Sequence, residues 1–250
     1  MRHQESIGEL WELAVQSSSP SKPLSTESAS LPAAVQRYLS FSIASGTPLA
    51  STVRLKMHGE IKLGGWHPFV AEQIISWDRG MIGQARVRMY GLPISGSDRL
   101  LSGKGAMQWK LFGILPFMRA QGEDITRSVA GRMNIESLWL PSVLSRATVG
   151  WSSVDANHMT AHFTANKEAA NVEFTIGASG VLESVSMPRW GNAGGGPYRL
   201  IPFGAFIEQS GNFGGFTIPT QLRVGWFFGT DRFYSEGEFF RATVDSADYV

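Results

Sequence analysis

The strongest constraint in this chain is a period of two. Val53, Leu55 and Met57 alternate with Arg54, Lys56 and His58, and Met81, Gly83, Ala85, Val87 and Met89 alternate with Gln84, Arg86 and Arg88. A longer run sets Leu101, Gly103, Gly105, Met107, Trp109 and Leu111 against Ser102, Lys104, Gln108 and Lys110. The second half repeats the rhythm in Met159–Phe163, in Val172–Ile176, in Val181–Met187 after a Ser179-Gly180 turn, and in Ile218–Trp226, with a last strand over about Arg232–Val244. Strict alternation puts one side of a strand on a core and the other towards water, which is the pattern of an antiparallel sheet. These runs predict roughly eight to ten strands. Glycines at the inner positions of the Leu101–Leu111 run let the strand bend sharply, or admit something close to its backbone.

Composition agrees. Charged residues make up 17% of the chain, against about 25% in an average soluble protein, while 28 Gly, 8 Trp and 15 Phe suit many tight turns between aromatic-rich strands. A formal net charge of +1 argues against an electrostatic nucleic-acid binder. The absence of Cys excludes disulfides, thiolate nucleophiles and thiolate metal sites.

Three segments leave the two-residue period. Residues 5–16 predict a short amphipathic helix with Ile7, Leu10, Trp11 and Ala14 on one side, either a docked terminal helix or a contact for a partner or a membrane surface. Ser17–Ser30 reads as a Ser/Pro-rich linker. Leu31-Pro32 opens a second helix to about Phe41, with Pro in the first turn. The expected organisation is therefore residues 1–30 as helix and linker, and 31–250 as one domain. Between Glu123 and Ser145, Ile125, Val129, Met133, Leu140 and Leu144 fall at helical spacing, with Pro141 ending the main helix one residue earlier. The fold class this predicts is mainly β (α+β), a curved antiparallel sheet or incomplete β-barrel wrapped around a long central helix.

One residue on that helix does not fit its face. Glu136 lies three past Met133 and four before Leu140, on the apolar stripe. A carboxylate there is costly unless paired or hydrogen-bonded. Arg132, four residues earlier, is within reach. Two readings follow: a carboxylate facing a lipophilic cavity as acid, base or ligand anchor, or a buried ion pair that fixes the helix on the sheet. Trp139 nearby is either core or a stacking surface.

No phosphate loop, nucleophile elbow, His-Glu-x-x-His or calcium loop is present, and Gly103-Lys104-Gly105 lacks the third glycine of a dinucleotide fingerprint. No cofactor is predicted. His158 and His162 lie four apart without a third ligand near in sequence, so no metal site is predicted. The glycine-rich stretch between Arg189-Trp190 and Pro197-Tyr198 is either a flap over a cavity mouth or an ordinary connection. Glu5, Glu9 and Glu12 interrupt the first fifteen positions, and the longest apolar stretches fall far short of the roughly 20 residues of a membrane span. The expectation is a cytoplasmic protein without a transmembrane segment.

Several phrases together resemble a family of bacterial domains of unknown function, of the DUF6544 or DUF6920 type. They are Leu31-Pro32-Ala33-Ala34-Val35-Gln36-Arg37-Tyr38-Leu39, Pro68–Gln73, Ala85-Arg86-Val87-Arg88-Met89, Gly103–Met107, Glu136-Ser137-Leu138-Trp139-Leu140-Pro141, and Phe216-Thr217-Ile218-Pro219-Thr220 with Gly225-Trp226. The resemblance runs over about residues 31–249. It departs at Gly83, where an aromatic often stands in the family, and in the extra glycines of Gly191–Pro197. More distantly the chain is similar to half-barrel carriers of the LolA/LolB type. That resemblance implies a LolA-like curved sheet around helices with a hydrophobic cavity, and no reaction.

The function expected first is the binding of a hydrophobic small molecule or lipid between sheet and helix. Its candidate ligand-binding residues are Glu72, Met107, Trp109, Arg132, Trp139, Tyr198 and Trp226, with the polar ones fixing orientation. The alternative is a cofactor-independent cyclase, isomerase or hydrolase, with Glu136 as the catalytic acid or base and Glu72 or Tyr198 assisting. A third reading is a scaffold that recruits a partner through the N-terminal helix.

Overall fold

The period of two becomes a single sheet. The computed structural model describes residues 6–17 and 30–250. Helices α1 (Ile7–Ser17) and α2 (Ala33–Ser42) precede six strands that meander in order: β1 (Thr52–Lys62), β2 (Trp66–Ser76), β3 (Gly80–Met89), β4 (Leu92–Leu101), β5 (Lys104–Leu111) and β6 (Leu115–Gln121). Helix α3 (Glu123–Ile135), a 3-10 turn (Glu136–Trp139) and the short α4 (Pro141–Leu144) follow. The second meander is β7 (Gly150–Ser153), β8 (His158–Ala165), β9 (Glu168–Ile176), β10 (Leu182–Gly191), β11 (Arg199–Phe213), β12 (Phe216–Trp226) and β13 (Glu238–Tyr249).

The meanders join where β1 pairs antiparallel with β13, Val53 opposite Tyr249, giving one 13-stranded sheet in the order β6-β5-β4-β3-β2-β1-β13-β12-β11-β10-β9-β8-β7. Its two edges, β6 and β7, do not pair with each other. Yet α3 packs against β4, β5 and β6 on one arm and against β9 and β10 on the other. A rod can touch strands so far apart in the sheet order only if the sheet curls around it. The architecture is therefore an open, curved antiparallel sheet with a helix in its hollow.

The expected alternation lands on the concave side. Val53, Leu55 and Met57 are buried, as are Val172, Phe174 and Ile176, and they meet Val129, Met133 and Leu140 from the helical segment. The outer side is not all polar. Leu10 of α1, 1% exposed, joins Ile7 against Ile74 and Ile82, a register pair whose neighbours Ile75 and Met81 face inward. The N-terminal helix is thus seated on the back of β2 and β3. The predicted linker, but for its end residues, lies outside the described residues.

Three local expectations need correction. The run Leu101–Leu111 is not one strand: Ser102 and Gly103 both adopt positive φ (50° and 69°) in the β4–β5 turn. Gly105, by contrast, is an inner position that admits something close. A Cβ there would lie 2.5 Å from Thr126 Cα, and its N–H donates to Thr126 Oγ1 at 2.9 Å. The helix after Glu123 does not run on to Pro141; it tightens to 3-10 geometry at Glu136, and Pro141 instead opens α4. The last strand begins at Glu238, after a π turn over Phe233–Gly237.

Candidate functional site

Between the inner face of the sheet and α3 lies a cavity of about 390 Å3. Its walls are largely apolar, with Met57, Ile61, Met107, Trp109, Leu222 and Phe240 among them. This is within the range of small-ligand pockets, ~300–1,000 Å3. Set into this lining is a compact polar cluster.

Sheet register builds half of that cluster. Leu55, Gln73, Gly83, Asp98 and Met107 lie side by side across β1 to β5, so all five project to the inner face. Gly83, in the middle of the row, leaves a gap where a side chain would stand. The Arg132 guanidinium occupies it, with Nη2 3.5 Å from where a Gly83 Cβ would be. Arg132 reaches the gap from the last turn of α3.

The contacts form a closed ring. Arg132 Nε donates to Glu136 Oε1 at 2.7 Å, Nη2 to Gln73 Oε1 at 2.6 Å, and Nη1 to Asp98 Oδ2 at 2.9 Å. Gln73 Nε2 closes the circuit on Glu136 Oε2 at 2.6 Å. Both oxygens of Glu136 are thereby occupied, and the residue is 8% exposed. Burial disfavours the Arg132 cation, but the charges and hydrogen bonds of Glu136 and Asp98 outweigh it, and its pKa is raised above the ordinary guanidinium value.

A second cation enters from the opposite arm. Arg189 follows Val185 and Met187 at inward positions of β10 and is 8% exposed. Its stem passes Gly131 of α3, where a Cβ would lie 3.1 Å from Arg189 Cγ. Nε donates to the Ser128 carbonyl at 3.2 Å. The guanidinium carbon lies 4.5 Å from the Phe203 ring centre and 5.0 Å from that of Trp226. Burial, reinforced by the neighbouring Arg132 charge and only partly offset by Glu136 and Asp98, pushes its pKa down to about 10.

The residues singled out from sequence are placed as follows. Arg132, Glu136, Met107, Trp109, Trp139, Tyr198 and Trp226 all contribute to the wall of this one cavity. Trp139 is 3% exposed and donates from Nε1 to the Pro219 carbonyl at 3.1 Å, so it serves the core as well. Tyr198 stands at the glycine-rich connection, its ring 6.5 Å from that of Trp190. Glu72 also borders the cavity, but not with its carboxylate. It lies beside Lys56, one residue out of step with Gln73, so its side chain leaves on the outer face and accepts from Arg54 Nε at 2.6 Å. It is Gln73 that holds the inner place.

Gln73, Asp98 and Arg189 were missed. A signal for Arg189 was present: after Val185 and Met187 it is a charge on an apolar face, the same misfit that marked Glu136. The larger hollow of about 790 Å3 is a polar trough on the outer face, lined by Lys56, Glu72, Arg86, Arg99, Lys110 and Asp245 among others. His158 and His162 have separate partners, Asp155 for the first and Asn171 with Ser152 for the second. No group of three or more His, Asp or Glu side chains able to hold a metal gathers among the described residues. None of the described helices is long and apolar enough to cross a membrane.

Residues 29–249 match the family described as "Family of unknown function (DUF6920)", and the chain belongs to that family. No curated protein matches it. Among solved structures it is similar to a putative outer membrane lipoprotein-sorting protein domain from Vibrio parahaemolyticus, at 8% identity and a TM-score of 0.41, over 80% of this chain and 85% of that one. It is also similar to a LolA superfamily protein from Nitrosomonas europaea, at 8% identity and a TM-score of 0.43, over 87% and 92% of the two chains.

Proposed function

We propose that this member of the DUF6920 family binds a hydrophobic small molecule or a lipid chain in the hollow between its curved sheet and α3. The observation that carries the reading is the cavity of about 390 Å3 with largely apolar walls in an otherwise packed interior. Native interiors hold few voids larger than a water molecule, and apolar walls around unfilled space favour an apolar occupant over water. Apolar contact supplies the affinity, and the cluster around Arg132 and Arg189 orients whatever polar group the ligand carries.

The enzymatic alternative required Glu136 as acid or base. Its two oxygens are both engaged, by Arg132 and Gln73. A carboxylate engaged on both oxygens anchors the helix end, and this supports the binding reading over the enzymatic one.

The test uses a neutral apolar dye, N-phenyl-1-naphthylamine, titrated into the full chain, with native mass spectrometry of gently purified protein beside it. We expect saturable uptake at one dye per chain, and its loss in Leu222→Trp, which fills the cavity from β12. No uptake by the unaltered protein overturns the proposal.

A further inference from the structure

The polar cluster contains two cations and two carboxylates, but they are not shared evenly. Glu136 and Asp98 both bind Arg132. Among the described residues no carboxylate lies within 4.0 Å of Arg189. Arg189 makes its hydrogen bonds to Ser128, through Nε to the carbonyl at 3.2 Å and Nη2 to Oγ at 3.5 Å. Its Nη1 donates to none of the described residues and is not among the occluded polar atoms, and the residue lines the cavity.

A buried guanidinium without an anion is costly, and the ring faces of Phe203 and Trp226 offset only part of that cost. Its fork is preorganised. Gly131 makes room for the stem, Ser128 holds one edge, and the two rings hold the plane. A planar fork with open donors matches the geometry of a carboxylate or a phosphate.

We propose that Arg189 anchors the acidic head group of an amphiphile, a carboxylate or phosphate monoester on an alkyl chain, with the chain lying along Met57, Trp109 and Trp226. This rests on the cavity-binding reading above and adds the ligand's charge class to it. Arg132 offsets one of the two carboxylate charges at contact distance, so the head group meets one remaining negative charge, against which the open donors of Arg189 must act at hydrogen-bond distance. Dodecyl chains supply the apolar part of the probe ligands for this cavity of about 390 Å3.

The experiment compares dodecanoic acid, dodecyl phosphate and dodecan-1-ol, each displacing the neutral dye from the full chain. On the unaltered protein at least one acid is expected to bind about tenfold or more tightly than the alcohol, and the tighter acid identifies the head group. Arg189→Gln should abolish the preference, bringing that acid to the alcohol's affinity. Arg189→Met, which keeps the stem against Gly131, is the second variant should the glutamine chain not fold. Equal binding of acids and alcohol to the unaltered protein overturns the anchor and leaves the cavity reading intact. So does a preference for acid that survives both variants. A parallel loss of acid and alcohol in the variants marks Arg189 as a prop for α3 and also overturns it. If none of the three ligands displaces a dye that the protein takes up, the anchor falls and the cavity reading stands; if the dye itself is not taken up, both fall.

Discussion

Arg132 and Glu136 stand four residues apart across the point where α3 gives way to a 3-10 turn, and their side chains meet at 2.7 Å inside the sheet. The pair is therefore also a contact between helix and sheet, because Gln73 of β2 bonds to both partners and Asp98 of β4 bonds to the arginine. Removing any one member leaves buried polar groups without partners, which costs more than the bond itself contributed.

Glu136→Gln keeps the shape of the side chain and removes its charge. The expected cost is about 1.5–3 kcal/mol, the range for hydrogen bonds to charged groups. Denaturant unfolding followed by tryptophan fluorescence measures it. A change below about 0.5 kcal/mol would show that the ring is incidental to stability.

Gly105 and Gly103 separate two uses of glycine two residues apart. Gly105→Ala should destabilise by about 1–3 kcal/mol, because the added carbon meets the α3 backbone at Thr126. Gly103→Ala meets nothing within 4 Å and carries only the penalty of its φ of +69°, about 1 kcal/mol. Thermal unfolding of the two variants orders them. Equal losses would mean that α3 moves freely away from β5.

Leu10→Ala tests the seat of α1 on the outer face. Leu10 is nearly inaccessible against Ile74 and Ile82, and a truncation of this kind costs about 2–5 kcal/mol where the site cannot collapse. Leu10 and Ile7 are the buried α1 residues of that cluster, so with Leu10 truncated α1 should open locally. Hydrogen exchange should show protection lost over residues 7–17 and kept in β2 and β3. Unchanged protection in α1 contradicts this.

Glu238 governs the acid limb. It is 4% exposed and accepts from Arg223 at 2.9 and 2.6 Å and from Arg241 at 2.6 Å. The bonds from Arg223 first, against the opposing effect of burial, and those from Arg241 next hold its carboxyl down to about 2 from an ordinary 4.5. Because the folded value lies below the unfolded one, the stabilisation is complete above pH 4.5 and is lost as pH falls from 4.5 through 2. Stability should therefore fall more steeply over that window in the unaltered chain than in Glu238→Gln. Parallel curves would refute the assignment.

How much of this was legible in the sequence depended on what covers the back of each strand. The strands β1, β8, β9 and β12 alternate cleanly, and their inner residues were assigned to the correct face. β2 was missed because Ile74 and Ile75 are both apolar, one facing α1 and one facing the core. β11 was missed for the same physical reason: Phe203 packs inward against Trp226, while Phe206 meets Phe228 and Phe233 on the other side. Without β2 and β4 there was no register to place Gln73 and Asp98, so the Arg132–Glu136 pair was found without the two sheet residues that complete its ring. The helix stripe that marked Glu136 survives in the structure although the helix itself ends one residue earlier, because the 3-10 turn keeps the residue on the inner side.

The seat of α3 has a mechanical meaning. The two arms of the sheet share a spine where β1 meets β13, and their free borders are not laced together. The rod that touches both arms is the clasp of an unsewn cover. The close approach at Gly105 on one arm and the Arg189–Ser128 tie on the other are its two fastenings. Undoing either should let the arms spread, and with them the space between sheet and rod would lose its defined volume.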